Sequence, residues 1–205
     1  MITYSTPKFN GFTADVQLGL GAKSKVTSAS GVVDTTNDGK ENSTAFALNY
    51  ANGPFAAKFG TETVNNFSKS VKVAGYEVAK PTGMADRKND AFGLSYDLGM
   101  AKVYFLNTRM KQGDEASKVS FDTNNFGVRV PMGAFTFNAG LSDGKAKLTG
   151  STVKADMSAT QFSLWYAMNN ETMVYAVYGQ ESIKHPTFAV KSDDKTMLVG
   201  IRYKF

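Results

Sequence analysis

Few residues have the types and spacing that acid–base or metal chemistry requires. His185 is the only histidine, and it precedes Pro186 in a predicted loop without a second ligand beside it, which favours an ordinary loop role over a metal site. The carboxylate pairs Asp114-Glu115 and Asp193-Asp194 also fall in predicted loops, where solvated charge is the usual explanation and a bridging cation such as Ca²⁺ the alternative. No acid–base pair emerges, so we expect no catalytic residue and no enzymatic activity.

Three further features argue against cofactor and nucleic-acid chemistry. Residues 19–24 (GLGAKS) are similar to a phosphate loop, but they lack its adjacent Gly-Lys pair and a following helix, so we interpret them as a strand end. The absence of cysteine excludes disulfides, thiol nucleophiles and thiolate metal sites. The net charge is +5, yet Lys and Arg are interleaved with Asp and Glu along the chain. We therefore predict no cofactor, no metal and no nucleic-acid partner.

Outside the predicted loops, several segments show an alternation of apolar and polar residues, with a few charged residues among the polar ones. This period of two puts the apolar residues on one face of a β-strand. It marks residues 12–20, 46–50, 55–60, 92–97, 125–130, 135–141, 161–168 and 197–205. Residues 101–109 and 173–180 leave the facing open, because both of their alternate sets contain large apolar residues. Together with residues 2–5, these segments predict about eleven strands and an all-β fold.

Short and long connections between these strands alternate along the chain. The short ones (8–11, 52–54, 97–100, 131–133 and 169–171) are rich in turn formers, and the long ones (21–41, 65–89, 111–122, 143–156 and 182–194) are polar. An up-and-down sheet with tight turns at one end and long loops at the other is typical of an outer-membrane β-barrel. No run approaches the roughly 20 apolar residues of a spanning helix, but a barrel strand needs only about 10 residues.

A soluble lipocalin-like barrel or a β-sandwich is the alternative, because its strands alternate as well. Its polar face should be rich in Lys and Glu, whereas here that face is mostly Gly, Ser, Thr, Asn and Ala, which suits a wet lumen better. We therefore predict a single domain over residues 1–205, a transmembrane antiparallel up-and-down β-barrel.

The charges on the polar face of these strands are the candidate functional residues, because in such a barrel they line the lumen. Basic residues exceed acidic ones among them by about two, and a basic wall favours anions in a confined pore. The alternative is that these charges merely hydrate the wall and neutralise each other. The residues are Lys58, Arg129, Arg202, Lys204, Asp15 and Glu62.

The last strand carries a more specific pattern. Counting back from the terminus, every second residue is aromatic or apolar: Phe205, Tyr203, Ile201, Val199 and Met197. This pattern resembles the β-signal of bacterial outer-membrane proteins, which their assembly machinery recognises.

Two further stretches, residues 4–12 (YSTPKFNGF) and 159–178, resemble the trimeric general porins of Gram-negative bacteria, in particular those of β-proteobacteria. The resemblance implies an outer-membrane location, contact with lipid and lipopolysaccharide, a homotrimer, and passive diffusion of small hydrophilic solutes and anions. A structural, adhesin or receptor role on a small barrel, and a fragment without a function of its own, are the alternatives.

The resemblance also bears on the extent of the barrel. Porins of this kind have roughly sixteen strands, and the strands predicted here would be the C-terminal ones of that barrel. An odd number of up-and-down strands cannot close with an antiparallel seam, which points the same way. The N-terminal strands, signal peptide and constriction loop would then be missing, and Thr3 stands where family members often carry an Arg.

Overall fold

The computed structural model describes residues 1–21, 23–27, 33–38, 42–67, 71–73, 76–79, 85–113, 118–149, 154–185 and 190–204. Within these ranges the chain is all-β, and no helix long and apolar enough to span a membrane is found there. The strands are β1 (Ile2–Ser5), β2 (Phe12–Gly19), β3 (Lys23–Thr27), β4 (Val33–Asp38), β5 (Asn42–Asn52), β6 (Phe55–Phe67), β7 (Val71–Val73), β8 (Tyr76–Ala79), β9 (Ala85–Asp97), β10 (Lys102–Gln112), β11 (Val119–Met132), β12 (Phe135–Leu148), β13 (Lys154–Ala167), β14 (Thr172–His185) and β15 (Val190–Tyr203).

Eleven of these strands form one up-and-down sheet, in the order β1-β2-β5-β6-β9-β10-β11-β12-β13-β14-β15. Every neighbouring pair is antiparallel, and the register shifts only between Val64 and Phe67, where β6 pairs with β9. The predicted fold class, strand number and meander are therefore confirmed. Strands β1 and β15 are the two edges, and their described residues do not pair with each other. β3–β4 and β7–β8 are separate hairpins within the long connections.

Tight turns lie at one end of the sheet, as the turn-forming residues predict. In the turn between β1 and β2, Asn10 and Gly11 both have positive φ, 46° and 88°. A Cβ atom at Gly11 would lie 2.7 Å from the carbonyl oxygen of Ala51, so glycine is needed there for both its backbone conformation and the close approach of β5.

The strands extend further toward the long connections than the alternation predicts. His185 is the last residue of β14, and Asp193 and Asp194 lie within β15, so placing these three residues in loops was wrong. Asp114 and Glu115 lie outside the described residues. At these ends of β14 and β15 the strand pairing continues, although the outward residues change from apolar to polar. A search for alternating hydrophobicity does not detect strand residues of this kind.

The register assigns every residue of the main sheet to one of two faces. The face that carries Asp15, Ala47, Gly60, Ala91 and Thr108 across consecutive strands is called here the polar face. The opposite, apolar face exposes rows of large side chains at the end nearest the tight turns, such as Phe126, Phe135, Leu164 and Ile201.

Near the long connections the apolar face becomes charged. This part, called here the charged collar, contains the ion pairs Lys88–Asp90 (3.6 Å), Arg109–Asp122 (2.5 Å) and Lys191–Asp193. The sheet is thus apolar over a band of limited height and suited to water above it.

The sheet has almost no interior. Among the described residues the buried apolar side chains are Val64, Val119, Ala146 and Ala155, all on the polar face near the long connections. A sheet that hides so little apolar surface within itself needs an apolar medium against its other face.

Candidate functional site

The candidate site is the polar face of the main sheet, where many residues have small side chains. One row of cross-strand partners runs Ala56, Ser95, Tyr104, Gly127 and Gly140 from β6 to β12. Because several of these residues have little or no side chain, shallow hollows open along the wall.

The acidic residues predicted for this face lie together in one hollow of about 270 Å³. Asn49 donates a hydrogen bond to Asp15 Oδ2 at 2.9 Å, and Asn89 donates one to Glu62 Oε2 at 2.9 Å. Both carboxylates are therefore held by amides on the next strand.

The predicted basic residues lie apart from this acidic hollow. Lys58 lines an adjacent hollow of about 600 Å³, Arg129 lines one of about 410 Å³, and Arg202 lies on the edge strand β15 opposite Met173. Lys204 follows β15, where its backbone N–H donates to the carbonyl oxygen of Glu171 at 2.9 Å. No ion pair between described residues joins any of these cations to Asp15 or Glu62.

The register adds charges that the count from the sequence left out. Lys102 and Asp97 are cross-strand partners on this face, and Lys102 also lies directly opposite Arg129. The sequence did not show which residues of β10 and β14 lie on the polar face. The pairing of these strands with β9, β11 and β13 assigns them. Arg87, Glu181 and Asp194 share the face. Among the described residues of the main sheet, the polar face then carries six basic and five acidic residues, so the excess of positive charge is smaller than the sequence count indicates.

An aromatic pair also lies on this face. Trp165 and Tyr175 stack with ring centroids 5.1 Å apart, and Tyr175 lies over Gly200, where a Cβ atom would come within 2.5 Å of its ring. Trp165 Nε1 donates to Ser163 Oγ at 3.0 Å, and Asn138 Nδ2 donates to the same oxygen at 3.1 Å.

The residues of the predicted β-signal lie on the apolar face of β15. Met197, Val199, Ile201 and Tyr203 are all exposed there, and Phe205 lies outside the described residues.

Comparison with known proteins decides the family. The model of a family described as Gram-negative porin matches residues 1–186. The chain belongs to this porin family. The predicted resemblance and the outer-membrane location are thereby confirmed, and family and fold point to a channel rather than to an enzyme.

Solved porins share the fold at low sequence identity. An anion-selective porin from Comamonas acidovorans is 20% identical with a TM-score of 0.68, and the match covers 99% of this chain and 58% of that one. OmpT of Vibrio cholerae, expressed in the outer membrane, is 15% identical with a TM-score of 0.69, over 98% of this chain and 63% of that one. This porin chain thus spans about three fifths of the length of these two structures. No curated sequence matches it.

Proposed function

We propose that this porin chain forms the wall of a water-filled outer-membrane channel for passive diffusion of small hydrophilic solutes and ions, with a preference for anions. One observation carries the proposal: a continuous sheet has small and polar residues along one face and an exposed apolar band on the other. Such a sheet is stable when lipid covers the band and water wets the polar face.

The anion preference is argued from the environment of the charges rather than from their number. Asp15 and Glu62 lie together in one hollow, whereas Lys58 and Arg129 line other hollows and, like Lys102, have no carboxylate of a described residue within ion-pair distance. Unpaired cations on a pore wall raise the local concentration of anions. The anion-selective porin from Comamonas acidovorans, a fold neighbour, is in keeping with this preference.

The proposed partners follow from the same surfaces. The apolar band contacts lipid, the charged collar above it meets lipopolysaccharide headgroups, and the β-signal on β15 binds the assembly machinery. A homotrimer is proposed because a trimeric form of Vibrio cholerae OmpT, at 11% identity and a TM-score of 0.51, shares the fold.

Planar-bilayer recording of the purified protein tests the channel. Stable conductance steps are expected, and the reversal potential in a KCl gradient should have the sign of chloride preference. Arg129→Glu should move that potential toward cation preference, whereas Lys145→Glu, the same charge change on the charged collar, should move it less. Absence of steps overturns the channel and favours a structural or receptor role, and cation preference of the unmodified protein overturns the selectivity.

A further inference from the structure

Large apolar side chains that are exposed on the strands of the main sheet lie almost entirely on the apolar face. Tyr104 and Leu106, each 40% exposed, and Leu198, 50% exposed on the edge strand β15, are exceptions on the polar face. Lipid contact explains exposure on the apolar face but not the exposure of these three, because the polar face is directed away from lipid. Tyr104 and Leu106 form an apolar ridge along β10 in an otherwise polar wall.

The ridge borders a hollow of about 410 Å³ over β10, β11 and β12. Tyr104 and Leu106 line one side, Arg129 and Asn138 the other, and Gly127 forms the floor. A Cβ atom at Gly127 would lie 3.7 Å from Tyr104 Cβ, so the tyrosine side chain packs beside bare backbone. The volume falls within the usual range for small-molecule sites.

Arg129 lines this hollow and Lys102 lies next to it, and no carboxylate of a described residue is within ion-pair distance of either cation. Lys102 and Arg129 are direct cross-strand partners, an arrangement that destabilises a sheet when the charges are alike. Lys102 Nζ lies 5.6 Å from the centroid of the Tyr104 ring, a cation–π contact. Its other partner, Asp97, accepts a hydrogen bond from the Gly99 N–H at 2.8 Å. An anion between the two cations would relieve their repulsion.

Two neutral side chains at the hollow already donate hydrogen bonds within the sheet. Asn138 Nδ2 donates to Ser163 Oγ at 3.1 Å, and Asn125 Nδ2 donates to the carbonyl oxygen of Leu106 at 3.2 Å. The hollow is distinguished by two cations beside an apolar ridge. A ligand with one anionic group and one flat apolar surface matches these features.

We propose that the hollow between Tyr104 and Arg129 is a subsite for small aromatic carboxylates. The ring of the ligand lies on Tyr104 and Leu106, where aromatic packing stabilises it. Its carboxylate lies between Lys102 and Arg129, and the guanidinium donates a charge-assisted, bidentate pair of hydrogen bonds. The subsite rests on the proposed function only in that the solute enters the hollow from the lumen.

Ligand-observed NMR on the full 205-residue chain, folded in detergent, tests the subsite with benzoate, acetate and benzyl alcohol as probes. Benzoate should bind about tenfold more tightly than either of the others, because acetate lacks the ring and benzyl alcohol lacks the charge. Arg129→Gln should weaken benzoate binding about fivefold, and Lys102→Gln about threefold. The matched control is Arg202→Gln, a loss of the same charge on the same face outside the hollow, which should leave binding unchanged.

Equal binding of acetate and benzoate, or an equal loss in Arg202→Gln and Arg129→Gln, overturns the subsite. If Arg129→Gln does not fold, Lys102→Gln decides by the same comparison. The binding assay requires no ion current. Conductance steps without preferential binding of benzoate over acetate therefore overturn the subsite alone. Preferential binding of benzoate without conductance steps overturns the channel alone.

Discussion

Glycines on the polar face set how closely the side chains of neighbouring strands approach each other. At Gly144 a Cβ atom would lie 2.9 Å from Thr123 Cγ2 and 3.2 Å from Met157 Cε. At Gly179, on the same face, no other atom lies within 4 Å of that position. The first glycine is therefore required by packing, and the second is not.

Alanine at these two glycines should have different consequences. We expect Gly144→Ala to lower the free energy of unfolding by about 1–3 kcal/mol, because Thr123 is branched at Cβ and cannot move away freely. Gly179→Ala should leave it nearly unchanged. Urea unfolding in detergent measures both, and equal stability of the two variants would contradict this account of the packing.

Ser163 is the single acceptor for two side chains and is 6% exposed. Ser163→Ala should lower the free energy of unfolding by about 1 kcal/mol, because Trp165 Nε1 and Asn138 Nδ2 both lose their partner. Trp165 is the only tryptophan, so its fluorescence anisotropy should fall as the ring becomes freer. Ser142→Ala, on the same face of β12, is the control, and a similar fall in that variant would refute the role of Ser163.

Residue roles were predictable from the sequence only where one alternate set was clearly apolar. The facing of Asp15, Lys58 and Arg129 follows from such strands. In β10 both sets contain large apolar residues, so Lys102 and Tyr104 could be assigned only from the cross-strand register. The hollow that Tyr104 and Arg129 line depends on three strands and has no signature in any one of them.

Strands are apolar on their outward side only over the part nearest the tight turns. β13 shows this in one element: Phe162, Leu164 and Tyr166 are exposed outward, and Asp156 and Ser158 follow on the same side toward the long connection. Strand existence and order were predictable because the apolar part alternates. Strand ends were not predictable where both faces are polar, as in β15, where outward Lys191 and Asp193 alternate with inward Ser192 and Asp194.

An arginine placed on β13 should distinguish the two faces. Leu164→Arg lies at the centre of the outward apolar residues and should cost about 2–4 kcal/mol of folding free energy in lipid. Gln161→Arg, on the polar face of the same strand, should cost much less because water reaches it. Guanidinium unfolding in lipid vesicles gives both values, and the reverse order would mean that the two faces are assigned the wrong way round.

At the scale of the whole molecule, two opposed surfaces explain the family, the location and the proposed activity together. In the proposed function, the apolar band meets lipid, the charged collar rises above it, and the hollows of the polar face line the channel. The order of the sheet was predictable because tight turns and long connections alternate along the chain. The distribution of charge was not, because acidic and basic residues from different strands separate into different hollows only once the register is known.

Site-directed thiol labelling during channel recording tests the central claim most directly. Because the sequence contains no cysteine, the reagent reacts only with the introduced thiol. Gly140 lies on the polar face of β12, and a Cβ atom there meets only the Phe126 carbonyl oxygen, at 3.7 Å. Ala139, its neighbour in sequence, lies on the apolar face. A negatively charged methanethiosulfonate reagent should lower the single-channel conductance of Gly140→Cys in steps and leave Ala139→Cys unchanged. Block of Ala139→Cys with no effect on Gly140→Cys would contradict the assignment of the polar face to a water-filled channel.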